Sequence, residues 1–325
     1  MSSTTSEPTA PIPRLRYADI GINLSDPVYR GVHHGKKAHE DDLAHVIKRA
    51  VAAGCEKMLI TGSDLHESEK AIQIAREHPQ LCYATVGVHP CTAHTFDTHP
   101  GGTSALLSAL SDLVRSFAEQ VCAFGEIGLD YDRLFLCPRE TQLRYFEAQL
   151  ELAVTLDLPL FLHSRAAHED FVRLLKKFLD RLPRRGCVHS FTGTKGEMQS
   201  LVDMGFDIGV NGCSLKTEEN LEVVRAIPLE RLQLETDGPW IQCEMRPSHA
   251  SAKYLADAPP APKVVKKEKW VIDAMVKGRN EPCTIGRVAH VVACIKDLPM
   301  EQVCETAWNN SVKMFGLGEK QTQAS

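Results

Sequence analysis

Four residues of the kinds that bind metal ions recur along the chain, each at or just beyond the end of a predicted strand. They are Glu126, His163, His189 and Asp237. A single histidine in such a place is more often a structural group, but four ligand types in step with successive strands favour one shared site. A divalent cation held by carboxylates and imidazoles lowers the pKa of a bound water and polarises an ester under attack. The spacing therefore predicts a metal-dependent hydrolase.

The two carboxylates have the chemistry for catalytic roles as well as for binding a metal. Glu126 has two oxygens with which to bridge two cations, while His163 and His189 supply neutral nitrogen ligands. Asp237 suits two roles, a terminal ligand and the acceptor of the proton that the water loses.

These residues need a scaffold that brings strand ends together, and the pattern of apolar residues predicts one. The predicted strands cover residues 17–24, 57–61, 82–88, 122–127, 158–162, 186–189, 206–210 and 232–236. Helices alternate with them at residues 40–53, 65–78, 105–120, 139–156, 168–182, 195–204 and 218–226, and two more follow at 285–295 and 300–315. Eight strands alternating with helices predict an α/β fold, the TIM (β/α)8 barrel, in which the carboxyl ends of all strands meet on one face.

A single domain is predicted over residues 17–317. Residues 1–16 are rich in Ser, Thr and Pro and read as a disordered lead, and residues 318–325 as a flexible tail. Residues 241–266 contain several prolines and are predicted to form an irregular excursion after the last strand.

Composition excludes some classes of protein. A formal net charge of −5 with 24% charged residues gives no global basic character for coating nucleic acid. The 11 cysteines include no CxxC pair, and no apolar run approaches the roughly 20 residues that a membrane span requires. We expect a soluble, monomeric protein of the nucleus or cytoplasm that is not secreted.

Several short runs, in this order, resemble those of the TatD family of metal-dependent deoxyribonucleases, in its eukaryotic branch, within the amidohydrolase-like barrels. The similarity extends over residues 17–316, and its most specific runs are Gly-Glu-Ile-Gly-Leu-Asp at 125–130, Phe-Leu-His-Ser-Arg at 161–165, His-Ser-Phe-Thr-Gly at 189–193, Asn-Gly-Cys-Ser-Leu-Lys at 211–216 and Glu-Thr-Asp-Gly-Pro-Trp at 235–240. The resemblance implies that Glu126, His163, His189 and Asp237 are the metal ligands. It also implies DNA as the substrate, with cleavage from the 3′ end of single-stranded or frayed strands.

The first strand departs from the wider superfamily, in which a His-x-His pair supplies two further ligands. The corresponding positions here are Gly21 and Asn23. Since Gly21 offers no ligand and Asn23 only a weak oxygen, we expect one or two ions with the second weakly held. Oxygen-rich coordination favours Mg²⁺ or Mn²⁺, with Zn²⁺ as the alternative.

Four further residues are predicted to bind substrate. Arg165 has the planar fork that grips a phosphate, or else it pairs with Glu126 or another carboxylate. His89 is predicted to donate to a phosphate oxygen or to support the metal site. Arg133 and Lys216 follow strands on the functional face and would steer DNA, unless they are ordinary solvated surface.

Aromatic and basic residues offer weaker signals. Phe191 and Trp240 lie close to ligands and are candidates to stack on a base, with core packing as the alternative. The lysines of residues 263–269 are a possible basic patch, although the solvated face of a helix is the simpler interpretation.

The sequence thus predicts a deoxyribonuclease that uses divalent cations. Two alternatives stay open, a metal-dependent deacylase acting on an ester such as aminoacyl-tRNA and a non-catalytic DNA-binding or scaffold protein. The complete set of four ligands disfavours a non-catalytic protein, and the low basic charge disfavours a pure DNA binder.

Overall fold

Eight parallel strands form the centre of the molecule, as a computed structural model of residues 15–318 shows. They are β1 (Tyr17–Ile22), β2 (Cys55–Ile60), β3 (Cys82–Val86), β4 (Val121–Asp130), β5 (Leu160–Arg165), β6 (Gly186–Val188), β7 (Asp207–Val210) and β8 (Leu232–Leu234). Each strand pairs with the next along the chain, which confirms the predicted (β/α)8 barrel. The predicted lead and tail lie, except for residues 15, 16 and 318, outside the described residues.

Helices connect the strands and cover the outside of the barrel. They are α1 (Leu43–Ala52), α2 (Leu65–Glu77), α3 (Gly102–Ser116), α4 (Arg139–Ala153), α5 (His168–Phe178), α6 (Lys195–Asp203), α7 (Glu218–Ala226), α8 (Ile285–Lys296) and α9 (Met300–Phe315). A single turn at Thr95–Thr98 precedes α3. None of the helices between residues 15 and 318 is long and apolar enough to cross a membrane.

The seam between β8 and β1 is closed by main-chain hydrogen bonds just past the end of β8. The amide of Asp237 donates to the carbonyl of Gly21 at 2.8 Å, and the amide of Asn23 donates to the carbonyl of Gly238 at 2.8 Å. Closure therefore places Asn23 and Asp237 side by side at the carboxyl ends of the first and last strands.

The interior of the barrel is apolar below the site. Inward-facing side chains from β1 to β6 form a cluster that α9 closes from the amino-terminal end with Trp308 and Phe315. Phe161 lies at the top of this layer, where its ring stacks on His189 at 4.6 Å between centroids. The polar site thus rests on a packed floor and opens only toward the carboxyl ends of the strands.

The fourth strand is longer than predicted, and this corrects the expected position of Glu126. β4 continues to Asp130, so Glu126 lies within the strand at an irregularity in the pairing with β5. Gly125 and Gly128 have φ values of 155° and 150°, and a Cβ at either would collide with a β5 carbonyl. The two glycines let the strand pass this close to β5. Glycine is disfavoured in strands, so its propensity did not predict that β4 continues through these residues. His163 likewise lies inside its strand rather than beyond it.

The first helix is shorter than predicted because of a tertiary contact. It begins at Leu43 and not at residue 40, and Asp42 gives it no side-chain cap. Both oxygens of Asp42 instead accept from Arg279, at 2.8 and 2.6 Å. A partner so distant in sequence is invisible to a local pattern.

The connection after β8 contains short turns and no α-helix until α8. Val264–Val265 pairs in parallel with Met275–Val276, and a single 3-10 turn covers Lys267–Lys269. The interpretation of residues 263–269 as the face of a helix is therefore wrong. A two-stranded antiparallel hairpin, Val32–His33 with Lys36–Lys37, follows β1.

Candidate active site

One cavity at the carboxyl ends of the strands contains all eight residues that the sequence predicted as metal ligands or as substrate-binding residues. Its volume is about 420 Å³. The predicted residues that line it are His89, Glu126, Arg133, His163, Arg165, His189, Lys216 and Asp237. Strands β3 to β8 and the turns that follow them therefore bring these side chains from distant parts of the chain into one place.

Glu126 lies at the centre of a group of imidazoles. Its Oε1 atom is 2.7 Å from His189 Nε2, 2.8 Å from His163 Nδ1 and 3.3 Å from His89 Nε2. His89 is held in place by the amide of Cys91, which donates to His89 Nδ1 at 3.1 Å. One carboxylate oxygen thus faces three ring nitrogens in a site that is almost closed to solvent.

The charges of these groups stabilise one another. Burial alone raises the pKa of Glu126, but the imidazoles of His89 and His189 outweigh burial and hold that pKa well below its usual range. Burial alone lowers the pKa of His189, but the carboxylates of Glu126 and Glu235 hold it well above its usual range. Glu126 is consequently ionised and available as a ligand.

Asp130 belongs to this group, although sequence reasoning passed over it. Its Oδ2 atom lies 3.3 Å from His163 Nε2, and the residue is 1% exposed. The alternation of a strand places residues four apart on the same face, so extending β4 to Asp130 would have identified it. The prediction missed it because the strand was ended at residue 127.

Glu235 is a second carboxylate that was missed. It is fully buried, and its Oε2 atom lies 3.4 Å from His189 Nδ1 without hydrogen-bond geometry. A Cβ at Gly21 would collide with this carboxylate. The space that a ligand side chain at residue 21 would occupy is therefore taken by Glu235, which explains in physical terms why the first strand has glycine there.

Asp237 lies at the seam, in contact with residues from two other elements. Its Oδ1 atom accepts from Asn23 Nδ2 at 3.3 Å, and its Oδ2 atom accepts from Cys243 Sγ at 3.3 Å. Burial raises the pKa of Asp237 to about 7. A carboxylate with such a pKa can take up a proton near neutral pH.

The donor atoms fit a divalent cation. One ligand atom each from His89, Glu126 and His163 lie within 4.8 Å of one another. Buried polar atoms without a hydrogen-bond partner surround them, among them Asp130 Oδ1, His189 Nδ1 and Glu235 Oε2. Such orphaned atoms are costly unless something binds them. A mixed set of carboxylates and imidazoles is the chemistry that Mn²⁺, Zn²⁺ and, with more oxygen and water, Mg²⁺ accept.

The predicted substrate-binding residues occupy the mouth of the cavity. Arg165 donates to Thr192 Oγ1 and, at 3.4 Å, to the carbonyl of Ser190. Within residues 15–318 it forms no ion pair, so the predicted pairing with Glu126 is absent there. Arg133 lies 3.8 Å from Asp130 Oδ2 and is half exposed. Positive charge thus faces the opening.

The two aromatic candidates differ in exposure. Trp240 lines the cavity and is 43% exposed, so its ring is free to contact a ligand. Phe191 is 5% exposed and packs in the core. Its burial favours core packing, the alternative to base stacking for this residue.

Two buried cysteines lie beside Asp237 in the wall of the cavity. The Sγ atoms of Cys213 and Cys243 are 3.0 Å apart. A disulfide requires about 2.05 Å, so the thiols need to approach by only about 1 Å. Gly212 is so close to the carbonyl of Cys243 that a Cβ there would collide with it.

We expect a mild thiol oxidant such as diamide, which takes one hydrogen from each thiol, to join Cys213 to Cys243. Oxidation removes the Cys243 donor from Asp237, and hydrolytic activity should fall several-fold and return with dithiothreitol. Peptide mass spectrometry and a count of free thiols check the pairing. Cys213→Ser should keep its activity in the presence of the oxidant. Cys294→Ser, which changes an exposed cysteine, should lose activity as the wild type does. Loss of activity in Cys213→Ser after treatment with the oxidant would contradict the assignment of the effect to the Cys213–Cys243 pair.

The fold and the site together define a class. An eight-stranded parallel barrel with carboxylates and imidazoles at its carboxyl ends is a hydrolase of the amidohydrolase-like type. Two solved structures agree over 93% of this chain: an uncharacterized amidohydrolase from Saccharomyces cerevisiae, with a TM-score of 0.86, 37% identity and all of that chain covered, and a hydrolase TatD family protein from Entamoeba histolytica, with a TM-score of 0.85, 35% identity and 98% covered.

The family follows from the sequence comparisons. The family model described as TatD related DNase matches residues 30–316, and the chain belongs to this family. It is 50% identical to the protein named deoxyribonuclease Tat-D of Schizosaccharomyces pombe, over 93% of this chain and 96% of the relative. It is 38% identical to the 3′-5′ ssDNA/RNA exonuclease TatD of Erwinia tasmaniensis, over 92% of this chain and 99% of the relative. The resemblance predicted from the short runs is confirmed.

Proposed function

We propose that this protein is a divalent-metal-dependent deoxyribonuclease that removes nucleotides from the 3′ end of single-stranded or frayed DNA. The observation that carries the proposal is the single carboxylate oxygen of Glu126 facing three imidazole nitrogens at the mouth of the barrel. The names of the relatives, deoxyribonuclease and 3′-5′ ssDNA/RNA exonuclease, support the substrate and the polarity.

The proposed ligands are Glu126, His163, His189 and Asp237. His89 and Asp130 lie within reach of the same group, so they are proposed as further ligands or as partners that orient the others. A bound cation would lower the pKa of a water molecule and polarise the phosphoryl group. One or two ions of Mg²⁺ or Mn²⁺, with Zn²⁺ as an alternative, suit this donor set.

The proposed reaction also needs a proton acceptor and groups that bind the substrate. Asp237 would take up the proton of the attacking water, a role that its pKa, raised by burial to about 7, supports. Arg165 and Lys216 supply positive charge for a phosphate, and Trp240 presents a ring on which a base would stack. The floor of apolar side chains beneath the site excludes bulk water from below.

The test uses chelator-treated protein and a 5′-labelled single-stranded oligonucleotide, with Mg²⁺, Mn²⁺ or Zn²⁺ added back separately. We expect a ladder of products that shortens from the 3′ end and requires both metal and Glu126. Phosphorothioate linkages should slow the reaction. Absence of cleavage with every metal, together with hydrolysis of a carboxylic ester such as an aminoacyl-tRNA, would replace the nuclease by the deacylase.

Arg165→Ala should weaken turnover on DNA more than it weakens metal binding. Among the residues that the structure describes, its guanidinium group donates to uncharged groups, Thr192 and Ser190, and forms no ion pair, which leaves its charge available for a phosphate. A loss of roughly 10- to 100-fold in kcat/KM corresponds to removing one charge-assisted hydrogen bond. Calorimetry of metal binding and cleavage kinetics separate the two effects. A larger loss of metal affinity than of turnover would make Arg165 a structural partner of the ligands.

A further inference from the structure

A second positively charged surface lies on the same end of the barrel as the site. The hairpin of residues 32–37 follows β1, and residues 263–269 lie in the connection after β8. The basic side chains of these two segments are called the seam patch. They are His33, His34, Lys36, Lys37, Lys263, Lys266, Lys267 and Lys269. Both segments belong to the connections that follow the two strands closing the barrel, and these connections start at the carboxyl ends where Asn23 and Asp237 lie.

Specific contacts hold the two segments together. The indole ring of Trp270 stacks on His39, with centroids 5.5 Å apart and an interplanar angle of 10°. The indole nitrogen donates to Asp42 Oδ2 at 3.2 Å. On the other side of His39, its Nε2 atom lies 3.1 Å from His33 Nε2. The chain after Trp270 is fixed as well, because Arg49 donates to the carbonyl of Ile272 at 2.7 Å.

The two segments approach each other at His33 and Lys267. His33 contacts His39, and the ring of His39 stacks on Trp270. Lys267 is three residues before Trp270 in the chain. Electrostatics agrees with this proximity: burial lowers the pKa of His33, and the nearby charges of His39 and Lys267 lower it further. The hairpin and the lysine-rich segment therefore present their charge together.

Little of this charge is neutralised locally. Residues 263–269 contain four lysines and one glutamate, whereas the whole chain has a net charge of −5. Lys37 pairs with Glu40. Across residues 15–318, Lys36, Lys263, Lys266, Lys267 and Lys269 form no salt bridge with any carboxylate. A positive surface retained on an acidic protein points to an anionic partner.

We propose that the seam patch binds the phosphates of a single-stranded nucleic acid whose end is held in the active-site cavity. This inference rests on the proposed function and deepens it. A cavity of about 420 Å³ has the size that holds one small ligand, so a strand of many nucleotides must continue over the surface. Lysines beside exposed apolar side chains, such as Val264 at 46% exposed, are suited to a flexible strand that offers both phosphates and base faces.

The patch predicts a dependence on substrate length. In the double variant Lys266→Glu/Lys269→Glu, we expect the KM for a 20-nucleotide strand to rise about tenfold or more, with kcat unchanged. The kcat/KM for a dinucleotide should stay at the wild-type value, because a dinucleotide does not extend beyond the cavity. The dependence of affinity on salt should weaken by about 0.7 in the logarithmic slope for each phosphate that the variant no longer binds.

Direct binding tests the patch independently of turnover. Fluorescence anisotropy with a labelled 20-nucleotide strand, in chelator, should show the same tenfold loss of affinity in the double variant. The matched control is Lys176→Glu/Lys313→Glu, which changes the charge equally at exposed positions on α5 and α9. The control should bind as the wild type does.

Three outcomes would overturn the proposal. They are equal affinity and salt dependence in the double variant and the wild type, an equal loss in the control, and lysine-dependent binding of phosphatidylserine vesicles with unchanged strand binding. The last result would assign the patch to an anionic membrane. A wild type that binds the strand through the patch and cleaves no DNA would instead refute the proposed function and leave the binding surface intact.

Discussion

Glu126→Gln should reduce hydrolysis of single-stranded DNA by on the order of a thousandfold or more. The amide has the same shape as the carboxylate but carries no charge, while His163 and His189 lie 2.8 and 2.7 Å from the oxygen that would change. The substitution therefore removes the charge of the proposed ligand without creating a cavity. Steady-state cleavage of a 5′-labelled oligonucleotide, with each metal at saturating concentration, measures the effect.

Two controls separate chemistry from folding in this experiment. Glu147→Gln changes an exposed glutamate of α4 that pairs with Lys177 on the outer surface, and it should keep full activity. Circular dichroism of Glu126→Gln should match the wild type, because the barrel core does not depend on this carboxylate. A Glu126→Gln protein with more than about a tenth of wild-type activity would refute the central place of Glu126 in the site.

Arg279→Met should lower the free energy of unfolding by about 3 to 5 kcal/mol. Arg279 is 3% exposed and donates to two carboxylates that are fully buried, Asp42 at 2.8 and 2.6 Å and Glu281 at 2.7 Å. Methionine fills similar volume but leaves these two negative charges with less compensation. Arg49 still contacts both carboxylates, which limits the loss. Urea denaturation, followed by tryptophan fluorescence and circular dichroism, gives the difference if the two transitions coincide.

The matched comparison is Arg181→Met, which removes an exposed ion pair. Arg181 and Glu151 are both about half exposed, so water already solvates them and the loss of stability should be far smaller than in Arg279→Met. Equal losses in the two variants would mean that burial does not strengthen the Arg279 network. A loss below about 1 kcal/mol in Arg279→Met would lead to the same conclusion.

Most of the barrel could be predicted from the sequence because its signals are local. Alternation of apolar runs located all eight strands, and amphipathic periodicity located α8 and α9 to within a residue. Two of the errors arose where a distant contact decides the backbone. α1 begins late because Asp42 binds Arg279, and β4 continues to Asp130 because Gly125 and Gly128 permit a close approach to β5.

The predictions for the site also succeeded where the signal was local and failed where it depended on distant contacts. The carboxylate, histidine and basic residues predicted at or after strand ends lie in one cavity. The barrel brings those strand ends together whatever the details of side-chain packing. Asp130 and Glu235 were missed for different reasons. Asp130 depended on the true end of β4, whereas Glu235 faces inward under His189 and is placed by the space that Gly21 leaves. No single-sequence pattern reveals such a space beside a neighbouring strand.

The seam between the last strand and the first has an evolutionary consequence. The hydrogen bonds that close it join main-chain atoms of Gly21, Asn23, Asp237 and Gly238, so they do not require the side chain of Asn23, whereas a side chain at residue 21 would collide with Glu235. A lineage of such barrels can therefore exchange the side chain at residue 23 without opening the barrel, while a new side chain at residue 21 requires a change at Glu235 as well.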